Sequence, residues 1–213
     1  MRQIEAIGQV LGEILRLALG GRRTEALGLF DRAYRPLLGV GAKVAGTLTD
    51  AQLLDLLAQT GGSDRRRVAL LAELLKVEGD VYHELGRVAD ALPRYRRALA
   101  LTARLAGEPD GLPDPQLAAD LADRLGGFTL APAASLERAR VYEVLGRYGD
   151  AEDALFEAID ASPGDSGPVD AGIAFYRRLL ALGDAAMRAG NLPRDEVEAA
   201  LADLLRRNLP EPT

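Results

Sequence analysis

The feature that most constrains the fold is a spacing of glycine and alanine that occurs three times. In the stretch LERARVYEVLGRYGDAEDALFEAIDASP, residues 136–163, Gly146 is followed by Ala151 and Ala158. Glycine favours the left-handed turn that ends a helix. Alanines seven residues apart lie on one helical face, and their small size lets two helix axes approach closely. Pro163 cannot continue a helix, so the stretch predicts two short helices folded back on each other.

The same spacing occurs at two earlier places, Gly86 with Ala91 and Ala98, and Gly21 with Ala26 and Ala33. A leucine or tyrosine precedes each glycine by four residues, at Leu17, Tyr82 and Tyr142. We therefore expect three helical hairpins, at about 6–39, 72–105 and 132–165.

The aromatic, glycine and alanine positions of these hairpins resemble the tetratricopeptide repeat, a helix-turn-helix unit of about 34 residues. Over most of its length the chain is similar to a family of small bacterial tetratricopeptide-like proteins of unknown function. The phrases that carry this similarity are LAELLKVEGDVYHELGR, EVLGRYGDAEDALFEAI and IAFYRRLLALGD. The resemblance implies an all-α, solenoid-like bundle, and it implies no activity.

The three copies are too far apart to be tandem repeats. Their matched alanines are 65 and 60 residues apart, whereas tandem repeats would give about 34. The sequence predicts one inserted helix in each gap, at 49–60 and 115–125. Thr49 and Gln52 form a capping box before the first, and Asp114 caps the second.

After the third hairpin we expect two C-terminal helices, at 169–189 and 193–207. The loop SPGDSGP precedes them, with Ser166 or Gly167 as the predicted cap. The predicted architecture is a single all-α domain spanning residues 1–213, a tetratricopeptide-like bundle of hairpins with inserted helices.

Composition excludes several classes of protein. The chain has no cysteine and a net charge of −6, so disulfides and thiolate metal sites are excluded. Charged residues interrupt every apolar stretch, which argues against a signal peptide or a membrane span. The arginine runs at 65–67 and 94–97 are interpreted as solvated helix faces rather than a nucleic-acid surface. We expect a soluble cytoplasmic protein that binds no nucleic acid.

No catalytic or metal motif is complete. His83 is the only histidine, and Asp80-x-x-His83 lacks the second such pair that a di-iron bundle needs. The GDSGP loop at 164–168 lacks a glycine of the protease motif that it resembles, and a helical chain cannot present the geometry of those β-barrel enzymes. The region 39–43 lacks the phosphate-loop pattern. We therefore predict no enzyme activity, no cofactor and no metal site.

A partner-binding groove is what the resemblance implies instead. Its lining would come from the first helix of each hairpin, at Glu73, Lys76, Asp80, His83, Glu84, Arg140 and Glu143. Asp80 occupies an asparagine position of the family's clamp for peptide carboxylates, which disfavours that ligand. The mixed acidic lining favours a partner with basic character.

The corresponding positions in the first hairpin are strongly apolar, at Leu11, Leu15, Ala18 and Leu19. Either an inserted helix or a second copy of the chain would have to cover such a surface.

The expected function is a protein–protein interaction or scaffold module that binds a peptide, a helix or another subunit, with a homo-oligomer possible. The alternative is a small-ligand binder or enzyme with a site around Asp80, His83 and Glu84. A third possibility is a nucleic-acid binder that uses Arg94, Tyr95, Arg96 and Arg97.

Overall fold

All regular structure in the computed structural model is helical over residues 2–61 and 65–207, the two ranges it describes. The all-α prediction is therefore confirmed. The chain forms two compact units, Met1–Glu108 and Pro109–Thr213. Each unit has its own paired helices, and the single-domain expectation stays a prediction.

The first unit contains two hairpins and two short inserted helices. Its helices are α1 (Arg2–Leu19), α2 (Arg23–Leu38), α3 (Ala42–Ala45), α4 (Asp50–Gly61), α5 (Arg65–Glu84) and α6 (Val88–Ala106). Helix α1 pairs with α2 and α5 pairs with α6, while α4 packs against α2 and α5. Thr49 and Gln52 form the predicted capping box before α4, with N–H to side-chain oxygen distances of 2.8 and 3.2 Å.

The second unit contains the third hairpin and the C-terminal helices. Its helices are α7 (Pro115–Leu125), α8 (Pro132–Val144), α9 (Tyr148–Asp160), α10 (Ser166–Leu180), α11 (Asp184–Ala189) and α12 (Arg194–Arg207). Helix α8 pairs with α9, α10 packs against α9 and α12, and α7 packs against α8. The Asp114 side chain caps α7 by accepting the Leu117 N–H.

Two local predictions in this unit are wrong. The helix predicted at 169–189 is two helices, because the chain is extended at Gly183. Arg194 stabilises this break by donating to the Leu182 carbonyl at 2.9 Å and to Asp184 at 2.6 Å. The cap of α10 is the Asp165 side chain, which accepts the Gly167 N–H at 2.9 Å, rather than Ser166 or Gly167.

The three hairpins share one turn. Gly21, Gly86 and Gly146 have φ of 77°, 74° and 72°. The next residue, Arg22, Arg87 or Arg147, donates its N–H at 2.9 Å to the carbonyl of Leu17, Tyr82 or Tyr142. This bond satisfies a carbonyl that the end of the first helix leaves free. The helices therefore stop and reverse at the three predicted glycines.

A fourth turn of the same kind joins α11 to α12, and it lacks the glycine signal. Asn191 takes the left-handed conformation there with φ 59°, and Leu192 donates its N–H to the Met187 carbonyl at 3.1 Å. Asparagine is the non-glycine residue that best tolerates this conformation.

The spaced alanines lie in the cores of the units. All six, Ala26, Ala33, Ala91, Ala98, Ala151 and Ala158, are completely buried. Gly79 adds a closer contact in the second hairpin, because a Cβ there would lie 2.6 Å from the ring of Tyr95 on α6. Small residues therefore set how closely the paired helices pack.

The apolar face of α1 is only partly covered within the first unit. Leu11 and Ala18 are buried, and α1 packs against α2 and α5. Leu15 and Leu19 are 40% and 87% exposed. The first unit thus covers two of the four positions for which we expected an inserted helix or a second copy, and leaves Leu15 and Leu19 exposed.

Candidate partner-binding surface

The predicted groove residues of the first unit lie on α5 and mostly contact their own unit. Asp80 accepts a hydrogen bond from the Tyr95 hydroxyl at 2.9 Å and pairs with the Lys76 ammonium at 2.9 Å. Glu84 accepts from Arg23 Nε at 2.6 Å. Glu73 is half-buried. Asp80 and Glu84 therefore join α5 to α6 and α2, while Lys76 pairs within α5.

His83 sits beside this cluster on α5. Its ring centroid is 6.5 Å from that of Tyr95, and its Nδ1 atom is buried without a hydrogen-bond partner in the described part of the chain. Among residues 2–61 and 65–207, no group of three or more histidine and acidic side chains is placed to hold a metal ion.

The predicted groove residues of the second unit line an open cleft. It has a volume of about 200 Å³ and lies between the first helix of the third hairpin and α10. Its lining residues are Leu136, Ala139, Arg140, Glu143, Leu155, Ala171, Ala174, Phe175 and Arg178. Arg140 and Glu143 both line this cleft, and their role in binding a partner stays a prediction.

A two-bonded ion pair fixes one side of this cleft. Glu143 on α8 accepts from Arg178 Nε at 2.6 Å and from Arg178 Nη2 at 2.8 Å. The Glu143 side chain is 18% exposed and that of Arg178 is 57% exposed. The hydrogen bond to Glu143 raises the pKa of the Arg178 guanidinium, so Arg178 stays charged at all physiological pH.

Arg140 leaves the cleft with a net positive rim. Its side chain is exposed and makes no ion pair with any residue that the structure describes. Since Glu143 is neutralised by Arg178, the charge of Arg140 is uncompensated at the cleft. The apolar surface between these side chains comes mainly from Leu136, Leu155 and Phe175.

Sequence reasoning missed the contribution of α10. Arg178 and Phe175 complete the cleft, but they lie 32 or more residues beyond Arg140 and Glu143, and no hairpin motif marks them. The usable signal was the phrase IAFYRRLLALGD, whose apolar face predicts that α10 packs on the preceding hairpin.

The fold and cleft define a class: all-α proteins built from paired helices that reverse at left-handed turns, with an open cleft between neighbouring helices. Within that class, the chain belongs to the family of unknown function DUF6483, which matches residues 1–208. No curated protein and no solved structure matches the chain significantly. In the described ranges, every helix is too short or too polar to cross a bilayer.

Proposed function

We propose that the chain is a non-enzymatic interaction module that binds a protein segment in the cleft between α8 and α10. The observation that carries this proposal is the composition of the cleft, in which apolar side chains lie beside the fixed pair of Glu143 and Arg178 and the exposed Arg140. Apolar pockets flanked by fixed charges suit a helix or an extended peptide, since apolar anchors supply affinity and charges set register.

The partner segment carries acidic residues next to its apolar anchors. Arg140 and Arg178 outnumber Glu143 at the cleft, so a carboxylate would be attracted there. This differs from the basic partner expected from sequence, because the acidic positions of the first unit are engaged within that unit.

The proposal includes a tetratricopeptide-like arrangement of the hairpins in a bacterial, cytoplasmic protein. The shared turn at Gly21, Gly86 and Gly146 supports the repeat relationship, as do the buried alanines. The exposed Leu15 and Leu19 favour a second copy of the chain as a further partner.

The alternative of a small-ligand or catalytic site around Asp80, His83 and Glu84 has less support. Asp80 and Glu84 are each held by an ion pair, at 2.9 Å to Lys76 and at 2.6 Å to Arg23. Asp80 also accepts from Tyr95 on α6, so using either carboxylate on a ligand would compete with a contact that joins α5 to another helix.

Peptide selection on the full-length chain tests the proposal. We expect a random displayed-peptide library to yield sequences with apolar residues next to Asp or Glu. A photo-crosslinking residue placed at Ala174, which lines the cleft, should capture the selected peptide. Arg140→Ala should weaken binding about fivefold, the equivalent of about 1 kcal/mol.

Arg96→Ala is the matched control, because Arg96 is an exposed arginine of the first unit whose removal should leave peptide affinity unchanged. The proposal would be overturned if the two variants lost peptide affinity equally. It would also be overturned if a crosslinking residue at the exposed Ala199 on α12 captured the peptide as strongly as one at position 174.

A further inference from the structure

The first unit has a second cleft that the proposed function does not use. It lies between α2, α3 and the paired helices α5 and α6, and its volume is about 530 Å³. This is within the range of roughly 300–1,000 Å³ that small-molecule pockets occupy.

Charged side chains lie at the inner end of this cleft. Glu78 is only 4% exposed; it accepts from the buried Tyr34 hydroxyl at 2.7 Å and from Arg94 Nη2 at 3.3 Å. Burial raises the pKa of the Glu78 carboxyl, and Arg94 partly opposes the shift. Both Glu78 oxygens already accept a hydrogen bond, so this carboxylate has little capacity left for a ligand.

Arg94 has donor capacity to spare. Its Nη1 donates to the Asp90 carbonyl at 3.0 Å, its bond to Glu78 is long, and its side chain is 18% exposed. Its guanidinium lies 4.7 Å from the centroid of the Tyr82 ring, which also lines the cleft. A guanidinium carries five N–H donors, so Arg94 can donate to a further acceptor.

Helix α3 brings a second cation to the cleft on a fixed segment. Lys43 lies on α3, is exposed and makes no ion pair with any described residue. Helix α3 is anchored by Asp31, which accepts the Ala42 N–H at 2.7 Å, and by Arg97, which donates to the Ala45 and Gly46 carbonyls at 3.1 and 3.2 Å. The wall is therefore held in place before any ligand arrives.

The cleft's two carboxylates are engaged and its two cations have free donors. Asp31 accepts hydrogen bonds from the Ala42 N–H and from Arg35, the latter at 3.2 Å. Glu78 likewise accepts hydrogen bonds from Tyr34 and Arg94. A ligand that fits must therefore accept hydrogen bonds and carry negative charge. Leu27, Ala42 and the open surface at Gly28 leave room for an apolar body.

We propose that this cleft binds a small organic anion, with its carboxylate or phosphate between Lys43 and Arg94 and its apolar body against Leu27 and Gly28. The site is independent of the peptide cleft in the second unit, so either can fail alone.

Four probes with one aromatic body test the proposal on the full-length chain: 3-phenylpropionate, phenyl phosphate, 3-phenylpropanol and 3-phenylpropylamine. Isothermal titration and amide chemical shifts should show saturable binding of at least one anion with shifts at residues 42–47, and at least about tenfold weaker binding of the alcohol and the amine. The outcome for the two anions also distinguishes carboxylate from phosphate ligands.

Two variants locate the site. Lys43→Gln should weaken anion binding about tenfold. Gly28→Leu should abolish it, because a Cβ at Gly28 meets nothing within 4 Å, so the added side chain would occupy the cleft while every charged residue of the cleft is kept. Arg66→Gln removes an exposed arginine elsewhere on α5 and should change nothing. Equal affinity for the amine and the anions, no saturable anion binding, or unchanged binding in Gly28→Leu would overturn the proposal.

Discussion

At the scale of single residues, Asp123 shows how an inserted helix is joined to a hairpin. Asp123 on α7 accepts from the Tyr142 hydroxyl at 2.9 Å and from Arg147 Nη1 at 3.0 Å. Arg147 in turn lies over the Tyr142 ring, 4.6 Å from its centroid, and pairs with Asp150 at 2.7 Å. One carboxylate therefore connects α7 to both sides of the turn at Gly146.

Asp123→Asn should lower the free energy of unfolding by about 1 kcal/mol at neutral pH, since the pair is half exposed. The hydrogen bond from Arg147, followed by that from Tyr142, lowers the pKa of Asp123. Because the pKa of Asp123 is lower in the folded state than in the unfolded state, its ionised form stabilises the fold. This stabilisation is fully present above the unfolded-state pKa of about 3.9, and it is lost as the pH falls through the folded-state pKa. Urea unfolding of both proteins across this range measures the effect.

The control is Asp120→Asn, because Asp120 is exposed on the same helix and accepts a hydrogen bond from Gln116 within that helix. This variant should unfold like the unmodified chain at every pH. A deficit for Asp123→Asn that persists unchanged at about pH 3 would contradict an electrostatic link.

Side chains were predictable from sequence where the signal is local. Thr49 with Gln52 and Asp114 with Leu117 lie three residues apart, so their caps follow from the sequence itself. The cluster of Tyr34, Glu78 and Arg94 was missed because Tyr34 and Glu78 are 44 residues apart. Nothing local distinguishes such a buried glutamate from a solvated one.

At the scale of elements, the hairpin depends on small residues where two helices meet. Ala151 on α9 is completely buried. A larger side chain there has no space unless α8 and α9 move apart, and overpacking of this kind costs roughly 1–3 kcal/mol.

Ala151→Leu should therefore lower the midpoint of urea unfolding by the equivalent of about 1–3 kcal/mol. Ala199→Leu makes the same change at an exposed position of α12 and should stay within about 0.5 kcal/mol of the unmodified chain. If both variants unfold at the same midpoint, our inference that α8 and α9 pack closely at Ala151 is wrong.

The helix ends at Gly21, Gly86 and Gly146 were predicted from sequence, whereas the break at Gly183 and the turn at Asn191 were not. The break at Gly183 interrupts a long apolar pattern in the sequence. Arg194 stabilises the break by binding Leu182 and Asp184 on either side of it, and that contact depends on the tertiary fold. The turn at Asn191 was missed for a similar reason, because asparagine is compatible with a helix and only its surroundings select the left-handed conformation.

At the scale of the whole molecule, one turn recurs in both compact units. The first unit uses it at Gly21 and Gly86, and the second at Gly146 and Asn191. This recurrence was predictable at the three glycines from the spacing of small residues. The cleft between α8 and α10 was only half predictable, because its α10 side lies outside the repeated pattern.

Amide hydrogen exchange at these turns tests the central claim most directly. The N–H groups of Arg87 and Arg147 donate to Tyr82 and Tyr142 at 2.9 Å, whereas Val88 and Tyr148 begin the next helices and have no intrahelical acceptor. We predict slow exchange at Arg87 and Arg147 and fast exchange at Val88 and Tyr148. Slow exchange at Val88 and Tyr148 as well would mean that the helices run unbroken through Gly86 and Gly146, and would contradict the account.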